Sequence, residues 1–579
     1  MHFRNLLPVA AALALGACVS VREAPDARPE PVTVKIVGLN DFHGNLEPLE
    51  RPIRLTDGAG AAHEVYAGGA AYLASAVAEY RAGGDYSLVI AAGDLIGGSP
   101  LVSSLFLDEP TIGAMNRIGL DFNAVGNHEF DRGWRELIRM QEGGCEKHGL
   151  REPCAVEPDF GGADFSFLAA NVITEGGETL FPGYAIRRFG SGVREVAVGV
   201  IGLTLEETPT LVTPSGVEGL TFGDEAEAIN ALVPEIERQG ADAIVVAIHQ
   251  GLAPEPGTPY SGCGAVAGPL RAVLERLDPR VDLVISGHTH RTYVCDFATV
   301  DPARDFMVSS AGYGGTLLTV IALTIDPAAG EVTDVSARNI VVQNAPEGDV
   351  ATADPAFGVF QPDAELAAYV ARYAQAAEEA ESRPVGKISG PAPDPGPATE
   401  ETRLGNLIAD AQLFATRDAG AQIALMNNSG VRAPIVPDAD GTVTFGDIYA
   451  AQPFGNALVT KTYTGAQLLA LLEQQFDEEG FVQTFSVSDG FAFAYDMNRP
   501  AGRRVVSATL GGEPIDPAAS YRVTTNSFLA AGGDTFTVFA DGTDAVTGPV
   551  DLDAMEAYLR AVEIRQLPET GRVTDLTKR

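Results

Sequence analysis

The chain contains a series of short polar motifs whose side chains could bind metal ions and move protons. The motifs are Asp41-Phe42-His43, Asp94, Asn127-His128, His249 and His288-Thr289-His290. They combine imidazole, carboxylate and amide groups, and they include five of the eight histidines of the chain. This ligand chemistry suits divalent ions such as Zn, Mn, Mg, Fe or Co better than an ion that requires thiolates. The sequence does not choose among these ions.

The order and spacing of these motifs predict two metal sites that share Asp94 as a bridging ligand. The first ion is assigned Asp41, His43 and His290, and the second is assigned Asn127, His249 and His288. Two divalent ions about 3.5–4 Å apart can clamp the attacking and leaving oxygens of a phosphoryl transfer and lower the pKa of a shared water. The alternative for His249 is a core histidine that bonds a backbone carbonyl.

His128 is predicted to act on the substrate rather than on a metal. It follows the predicted ligand Asn127, and Asp131 lies three residues further on, where its carboxylate could orient the imidazole and favour its protonated form. A protonated His128 could stabilise the transferring phosphoryl group or protonate the departing oxygen. Taken in isolation, a loop Asn-His pair is more often a turn residue beside a solvated imidazole.

Each motif follows a short apolar run, and helical patterns separate the runs. The runs are residues 32–39, 86–92, 122–125, 243–248 and 281–286, and the helical patterns include 70–81 and 270–277. This alternation predicts an α/β fold whose sheets contain parallel strands. Such sheets bind ligands beyond the carboxyl ends of their strands, so we expect the motifs to meet in one crevice.

The length and the charge limit the classes of protein to which the chain can belong. A chain of 579 residues is too long for a single core and predicts two or more domains. The 78 acidic residues exceed the 39 basic ones, which gives a formal net charge of −39. This balance argues against binding of a nucleic acid polymer and favours a soluble, exported protein.

The N-terminal residues have the pattern of a secretory signal. One arginine is followed by an apolar stretch, so residues 1–17 are predicted to be a signal peptide that is too short to span a membrane permanently. Leu15-Gly16-Ala17-Cys18 resembles a bacterial lipoprotein processing site, which predicts acylation of Cys18. Residues 18–31 would then be a lipidated tether and the only membrane contact, in the periplasm or at the outer membrane or cell surface. The alternative is an ordinary signal with an incidental cysteine.

The remaining four cysteines form an even set, which suits an oxidising compartment. We predict the disulfides Cys145–Cys154 and Cys263–Cys295, although three pairings are formally possible. A zinc site made from these thiols is the weaker alternative, because the sequence has no CxxC motif.

Composition changes along the chain predict its domain organisation. Residues 32–343 are predicted to be the catalytic domain, 344–381 a linker with a connecting helix, and 382–579 a second domain. The helix is expected at 364–381. The sequence does not determine the oligomeric state.

The motifs resemble, in order, the sequence blocks of the calcineurin-like metallophosphoesterases. The matching blocks are Asp41-Phe42-His43, Gly93-Asp94, Gly126-Asn127-His128-Glu129 and Gly287-His288-Thr289-His290. Residues 40–45 and the C-terminal half are similar to one branch, the 5'-nucleotidases, UDP-sugar hydrolases and 2',3'-cyclic phosphodiesterases. The resemblance implies a four-layer α/β/β/α sandwich followed by a smaller α+β domain, the 5'-nucleotidase C-terminal domain, which sets substrate specificity.

Four C-terminal stretches also match this branch, and they carry the expected substrate-binding residues. The stretches are residues 404–410, 427–432, 452–456 and 526–534. The resemblance implies that Phe454 and Phe528 stack on the base and that Asp534 accepts hydrogen bonds from the ribose. It also implies that Asn427 and Arg432 lie near the sugar and the phosphate.

Together these features predict an exported 5'-nucleotidase with two divalent metal ions that hydrolyses nucleoside 5'-monophosphates to nucleoside and phosphate. One alternative is a 2',3'-cyclic-nucleotide 2'-phosphodiesterase with 3'-nucleotidase activity, and another is a UDP-sugar hydrolase or dinucleotide pyrophosphatase. An alternative of another class is a non-catalytic surface binding protein on a phosphatase scaffold. Because the metals and the stacking residues fall in different domains, domain closure is expected to assemble the site.

Overall fold

The structure is a computed structural model that describes residues 29–49, 51–82, 86–148, 151–212, 216–264, 266–344, 353–392, 400–476 and 483–577. The predictions for the signal peptide, for Cys18 and for most of the tether fall outside these ranges. Within them, none of the helices combines the length and the hydrophobicity that a membrane crossing requires.

The N-terminal part alternates strands and helices up to residue 341. The strands are β1 (Val32–Leu39), β2 (Ile53–Thr56), β3 (Ala62–Val65), β4 (Ser87–Ala91), β5 (Phe122–Ala124), β6 (Ser166–Leu168), β7 (Val172–Thr174), β8 (Tyr184–Phe189), β9 (Val196–Thr204), β10 (Leu220–Phe222), β11 (Ala243–His249), β12 (Leu283–Ser286), β13 (Thr292–Asp296), β14 (Met307–Ala311), β15 (Leu317–Asp326) and β16 (Glu331–Val341). The helices are α1 (Ala70–Arg81), α2 (Leu101–Ser104), α3 (Glu109–Ile118), α4 (Trp134–Glu142), α5 (Thr208–Leu211), α6 (Glu225–Arg238) and α7 (Leu270–Leu274).

Twelve of these strands form two six-stranded mixed sheets. The first has the order β16-β15-β1-β4-β5-β6, and the second has the order β13-β14-β12-β11-β9-β8. Strands β1, β4, β5 and β6 run parallel to one another in the first sheet, as do β9, β11, β12 and β14 in the second. The pairs β1–β15, β8–β9 and β13–β14 are antiparallel. The apolar runs that precede the polar motifs are therefore parallel strands, as predicted, and they are divided between two sheets.

The two sheets pack face to face between outer layers of helices. Side chains such as Ile36, Ile90, Val200 and Val245 fill the core between the sheets. Strand β11 is buried along its whole length, because one face meets the other sheet and the opposite face meets helices. The predicted four-layer α/β/β/α arrangement is confirmed.

The C-terminal part begins with a long helix and is built on smaller sheets. Its helices are α8 (Ala364–Glu381), α9 (Arg403–Ala415), α10 (Phe445–Ala451), α11 (Gly465–Glu473), α12 (Ser527–Ala530) and α13 (Asp551–Arg560). Its strands are β17 (Pro384–Lys387), β18 (Ile423–Asn427), β19 (Thr442–Thr444), β20 (Ala457–Thr464), β21 (Phe485–Val487), β22 (Phe491–Tyr495), β23 (Val505–Leu510), β24 (Glu513–Pro514), β25 (Ser520–Asn526), β26 (Thr543–Val550) and β27 (Val573–Asp575). A five-stranded sheet has the order β21-β18-β25-β20-β26, and a four-stranded sheet has the order β24-β23-β22-β27.

The connecting helix α8 has the predicted limits. It begins after Asp363, whose side chain accepts a hydrogen bond from the Leu366 backbone N–H, a standard helix cap. Its buried face, which includes Leu366 and Tyr373, joins the helical core over the first sheet. The predicted domain limits 32–343, 344–381 and 382–579 stay predictions.

The two parts also share apolar packing outside the connecting helix. Leu101 of α2 belongs to the buried cluster that contains Leu404, Tyr449 and Leu552 of the C-terminal part. A side chain of α2, the helix that follows the Asp94 loop, therefore packs directly into the core of the C-terminal part.

Both predicted disulfides are present. Cys145 pairs with Cys154, and Cys263 pairs with Cys295. The second disulfide joins the loop that follows β11 to β13, the strand directly after the predicted ligands His288 and His290.

Candidate active site

The predicted ligands all lie at the carboxyl ends of parallel strands or in the loops that follow them. Asp41 and His43 follow β1, Asp94 follows β4, Asn127 follows β5, His249 is the last residue of β11, and His288 and His290 follow β12. Because the two sheets pack face to face, these loops meet at a single rim of the sandwich.

Asp41, His43 and His290 form the first of two groups that could hold a metal ion. His43 Nε2 lies 3.2 Å from His290 Nε2, and His290 Nε2 lies 3.4 Å from Asp41 Oδ1. The other ring nitrogen of His43, Nδ1, donates to the Gly97 carbonyl at 2.8 Å. That bond fixes the tautomer in which the Nε2 lone pair faces the group.

Asp94, His249 and His288 form the second group. His249 Nε2 lies 3.0 Å from Asp94 Oδ2, and its Nδ1 donates to the Ala92 carbonyl at 2.8 Å. The amide oxygen of Asn127 lies 3.2 Å from His249 Nε2 and 3.1 Å from His288 Nδ1. The structure therefore brings Asn127 to the group to which the sequence assigned it.

Asp94 lies between the two groups. Its Oδ2 is 3.0 Å from His249 Nε2 in one group and 3.5 Å from His43 Nε2 in the other. Its Oδ1 accepts a hydrogen bond from the His128 backbone N–H at 2.9 Å. This arrangement leaves Oδ2 free to face both groups, which is the geometry of a bridging carboxylate.

The residues fit a pair of divalent cations. Asp41, His43, Asp94 and His249 are almost completely buried, and their oxygen and nitrogen lone pairs face one another. Such an arrangement is costly unless a positive charge lies among the lone pairs. Nitrogen and oxygen ligands without a thiolate suit the borderline and hard divalent ions.

The pKa values of the histidines agree with this interpretation. Burial lowers the pKa of His43 to about 3 and that of His288 to about 4, so both rings are neutral and can bind a metal. Burial also opposes a charge on His249, but the adjacent Asp94 carboxylate outweighs it and raises the pKa of His249 to about 10. The carboxylates thus attract positive charge to this position.

Several of the predicted ligands have a backbone conformation that non-glycine residues rarely adopt. The φ angle is 49° at Asp41, 46° at His43, 51° at Asp94, 67° at His288 and 55° at His290. Strain of this kind costs about 1–3 kcal/mol per residue and concentrates at functional sites. Spacing in the sequence gives no sign of it.

Two glycines permit the close approach of the loops. A Cβ atom on Gly126 would lie 2.2 Å from Asp94 Oδ1, and one on Gly93 would lie 2.6 Å from His249 Nδ1. Gly93 also has a φ of 85°, which favours glycine. Larger residues at these positions would displace the predicted ligands.

Glu129 is a buried residue of the site that the sequence did not single out. Its buried carboxylate accepts hydrogen bonds from the backbone N–H groups of Asp94, Leu95 and Gly126 at 2.8–2.9 Å. Burial and the nearby Asp94 raise its pKa to about 8. Glu129 thus joins the loops after β4 and β5. The sequence feature that could have identified it is its position in the Gly126-Asn127-His128-Glu129 block.

His128 and Asp131 form the predicted pair beside the metal groups. His128 Nδ1 lies 2.9 Å from Asp131 Oδ2, which also accepts from the Gly98 backbone N–H at 3.1 Å. Burial opposes the charge on His128, but the carboxylates of Asp131 and Asp94 outweigh it and raise the pKa of His128. None of the described residues forms a hydrogen bond with His128 Nε2, so this atom can face a substrate.

All five predicted substrate-binding residues line one cavity with His128. Its volume is about 230 Å³, and its walls include Asn127, His128, His288, Asn427, Arg432, Phe454, Phe528 and Asp534. The Phe454 ring lies parallel to the His128 ring with their centroids 5.9 Å apart, and the Arg432 guanidinium lies 5.8 Å from the Phe454 centroid. Asp534 accepts from Asn427 Nδ2 at 2.8 Å and from Ser429 Oγ at 2.7 Å.

The cavity is lined by residues from both parts of the chain. Leu211 and Val212 of the N-terminal part line it, and the Asp534 backbone N–H donates to the Thr210 carbonyl at 2.9 Å. The segment after β9 therefore contacts the C-terminal part at the proposed ribose-binding residue, a contact that the sequence analysis did not anticipate.

A second cavity of about 470 Å³ adjoins the metal groups on another side. It is lined by Gly98, His290, Tyr313, Ser429 and Arg432, among other residues. The Tyr313 ring contacts His290 with a centroid separation of 4.7 Å. Ser429 and Arg432 line both cavities, so the two cavities meet at these side chains.

Comparison with known proteins assigns each half of the chain to a family model. Residues 34–292 match the calcineurin-like phosphoesterase model, and residues 384–541 match the 5'-nucleotidase C-terminal domain model. The solved structure of a 5'-nucleotidase precursor from Thermus thermophilus superposes with a TM-score of 0.72 at 27% identity, over 94% of this chain and 99% of that one.

Two curated relatives are longer than this chain. Endonuclease YhcR of Bacillus subtilis is 30% identical over 93% of this chain, which spans 40% of that protein. Cell wall protein Lmo0130 of Listeria monocytogenes is 30% identical over 89% of this chain, which spans 65% of that protein. The chain thus covers less than two thirds of the length of either relative.

Proposed function

The chain belongs to the calcineurin-like phosphoesterases that carry a 5'-nucleotidase C-terminal domain, and on this basis we propose that it hydrolyses nucleoside 5'-monophosphates to nucleoside and phosphate. The observation that carries the proposal is the shared cavity. His128 and the ligands Asn127 and His288 lie on the same cavity as Phe454, Phe528, Asp534 and Arg432. A nucleotide bound there would have its phosphate beside the metal groups.

The walls of the cavity match the parts of a nucleotide. Phe454 and Phe528 offer aromatic faces to the base, and each stacked contact would contribute about 1–3 kcal/mol. The carboxylate of Asp534 would accept hydrogen bonds from the ribose hydroxyls, with Asn427 beside it. The Arg432 side chain donates no hydrogen bond to the described residues, so its planar guanidinium can bind the phosphate.

His128 and Asp131 would supply the proton chemistry. The Asp131 carboxylate orients the His128 ring through Nδ1, and the raised pKa favours a protonated Nε2. That proton would stabilise the transferring phosphoryl group or pass to the departing 5'-oxygen. When bound, two divalent ions held by the Asp41 and Asp94 groups would supply Lewis-acid stabilisation and activate water for attack.

A panel of nucleotides tests this proposal. We expect phosphate release from AMP when Mn²⁺ is added, and we expect Asp94→Asn to lower it by at least about a hundredfold, because the variant loses the bridging carboxylate. The exposed Asp334 on β16 provides the matched control, Asp334→Asn, which should retain full activity. Absence of phosphate release from 5', 3' and cyclic nucleotides with every metal tested would favour the binding-protein alternative.

The second cavity favours a further substrate class for the same site. A substrate with a group on each side of the phosphorus, such as a UDP-sugar or a dinucleotide, could place its nucleoside in the first cavity and its second group beside Tyr313. Narrowing the second cavity with Ala450→Leu, at an exposed position of α10 that lines it, would then reduce hydrolysis of UDP-glucose more than that of UMP. Equal losses on both substrates would count against this assignment.

A nucleic acid polymer remains a poor substrate candidate. The similarity to a protein named an endonuclease covers only 40% of that protein, and the net charge of −39 opposes binding of a phosphate backbone.

We also propose that the protein is exported and lipid-anchored at Cys18. The two disulfides and the similarity to a cell wall protein support export. Cys18→Ser should release the protein from the membrane fraction of an expressing bacterium, whereas Cys263→Ser should not. An unchanged membrane fraction in the Cys18 variant would exclude the anchor.

A further inference from the structure

Asp551 is a buried carboxylate in the nucleotide cavity to which the proposed reaction gives no role. It is the first residue of α13 and is 5% exposed. It lines the same cavity as Phe454 and Phe528. Among the described residues, no Lys, Arg or His forms an ion pair with it.

Asp551 holds the loop that carries Phe454. The Asn456 backbone N–H donates to Asp551 Oδ2 at 3.2 Å, and the Asp551 backbone N–H donates to the Asn456 carbonyl at 2.8 Å. The Leu552 N–H donates to Asp551 Oδ1 at 2.8 Å. A carboxylate has about four acceptor positions, so two remain for a ligand.

Burial without a cationic partner makes Asp551 costly to the fold. Burial raises its pKa to about 7, with backbone N–H groups opposing the shift. A buried carboxylate that lines a cavity without a cationic partner is a candidate ligand site, because a bound donor would supply the missing partner.

The neighbouring amides leave further polar atoms in the cavity wall. The side-chain oxygen of Asn456 accepts from Ser527 Oγ at 3.1 Å, while its N–H groups have no partner among the described residues. Gln452, which is 2% exposed, has no partner for its amide nitrogen or oxygen in the described structure. This end of the cavity therefore needs a polar ligand rather than an apolar one.

We propose that Asp551 is a specificity-determining residue that accepts a hydrogen bond from an N–H group on the edge of the base stacked between Phe454 and Phe528. The inference rests on the proposed nucleotidase function and adds that a good substrate must carry an N–H donor on its base. Adenine offers its 6-amino group, and guanine and hypoxanthine offer the N–H at position 1. Unsubstituted purine has neither group, so purine riboside 5'-monophosphate would leave the buried carboxylate without a donor.

The test compares kcat/KM for AMP and for purine riboside 5'-monophosphate. We expect the wild-type protein to prefer AMP by at least about tenfold, since an unpaired buried polar group penalises the analogue. Asp551→Asn can donate as well as accept, so its preference should fall to about threefold or less. Asp553→Asn, an equal charge change at an exposed position on the same helix, should keep the wild-type preference.

Ribose 5-phosphate separates base recognition from general damage, because it has no base. If Asp551 contacts the base, Asp551→Asn lowers kcat/KM for AMP by a larger factor than it lowers kcat/KM for ribose 5-phosphate. Equal losses on AMP, purine riboside 5'-monophosphate and ribose 5-phosphate would reduce Asp551 to a structural role and overturn the inference.

The wild-type comparison needs no variant, so it can overturn the inference even if Asp551→Asn fails to fold. Equal kcat/KM values for AMP and purine riboside 5'-monophosphate would overturn the role of Asp551 while the nucleotidase proposal stands. A wild-type protein that hydrolyses neither compound, nor any other nucleotide, would instead overturn the proposed function.

Discussion

The imidazole of His128 takes its properties from two carboxylates with different functions. Asp131 fixes its orientation, and Asp94 accepts from its backbone N–H while facing both metal groups. His128 therefore connects the predicted metal site with the nucleotide cavity, although it is not itself positioned as a ligand.

Replacement of His128 with Ala should lower kcat for AMP by about 10²–10⁴, the usual contribution of general acid catalysis. Metal content should stay near two ions per chain, because the predicted ligands are unchanged. Parallel measurements of kcat and of bound metal would check this, with the exposed His148→Ala as the control. Loss of metal from the His128 variant would contradict its assigned role.

Glu129 supports a second prediction at this scale. Glu129→Gln replaces one acceptor oxygen with an N–H₂ group that faces backbone N–H donors, so we expect a loss of about 1–3 kcal/mol in the free energy of unfolding. Displacement of the Asp94 loop should also weaken metal binding by about 10–100-fold. Denaturant unfolding and metal titration measure the two effects, and the exposed Glu142→Gln is the matched control.

Residue types and spacing were sufficient to select seven side chains that lie close together in the structure, and their role as metal ligands stays a prediction. They could not identify Glu129, because its function depends on three backbone N–H groups that only the folded loops bring to it. The positive φ angles of Asp41 and His288 could not be predicted from the sequence either, because they result from the closure of the loops rather than from the type of side chain.

At the scale of elements, local patterns predicted β1, α1 and α8 with the limits that the structure has. Helix α7 ends at Leu274 rather than at 277, where its apolar pattern ends. The division of the strands between two sheets did not follow from periodicity, because strands such as β9 and β11 are buried on both faces and lack alternation.

The hairpin formed by β2 and β3 provides a pH-dependent prediction. His63 Nδ1 lies 2.7 Å from Asp354 Oδ2, and its Nε2 lies 3.3 Å from Asp57 Oδ2. These two hydrogen bonds, first that to Asp354, raise the pKa of His63. A raised pKa stabilises the fold fully below the unfolded value of about 6.5, and this contribution is lost as the pH rises through the folded pKa.

We therefore expect His63→Gln to lower the Tm at pH 5.5, and we expect the difference from wild type to shrink as the pH is raised from 6.5 to 9. Thermal unfolding across this range measures the effect, with His148→Gln as the control for loss of a histidine. A difference that stays constant or grows with pH would contradict the ion-pair role.

At the scale of the whole molecule, the proposed active site belongs to neither half alone. The N-terminal part supplies the predicted ligands, and the C-terminal part supplies Phe454, Phe528 and Asp534. The resemblance of the sequence to a known family implied this division. The hydrogen bond between the Asp534 N–H and the Thr210 carbonyl could not be predicted, because a bond between two backbone groups does not require particular residue types.

The central claim is that seven side chains from the carboxyl ends of five strands converge on two cations with Asp94 between them. Anomalous scattering from crystals grown with Mn²⁺ tests it most directly. We predict two peaks about 3.5–4 Å apart, one at the Asp41, His43 and His290 group and one at the Asn127, His249 and His288 group. A single peak, or two peaks that do not share Asp94, would contradict the account.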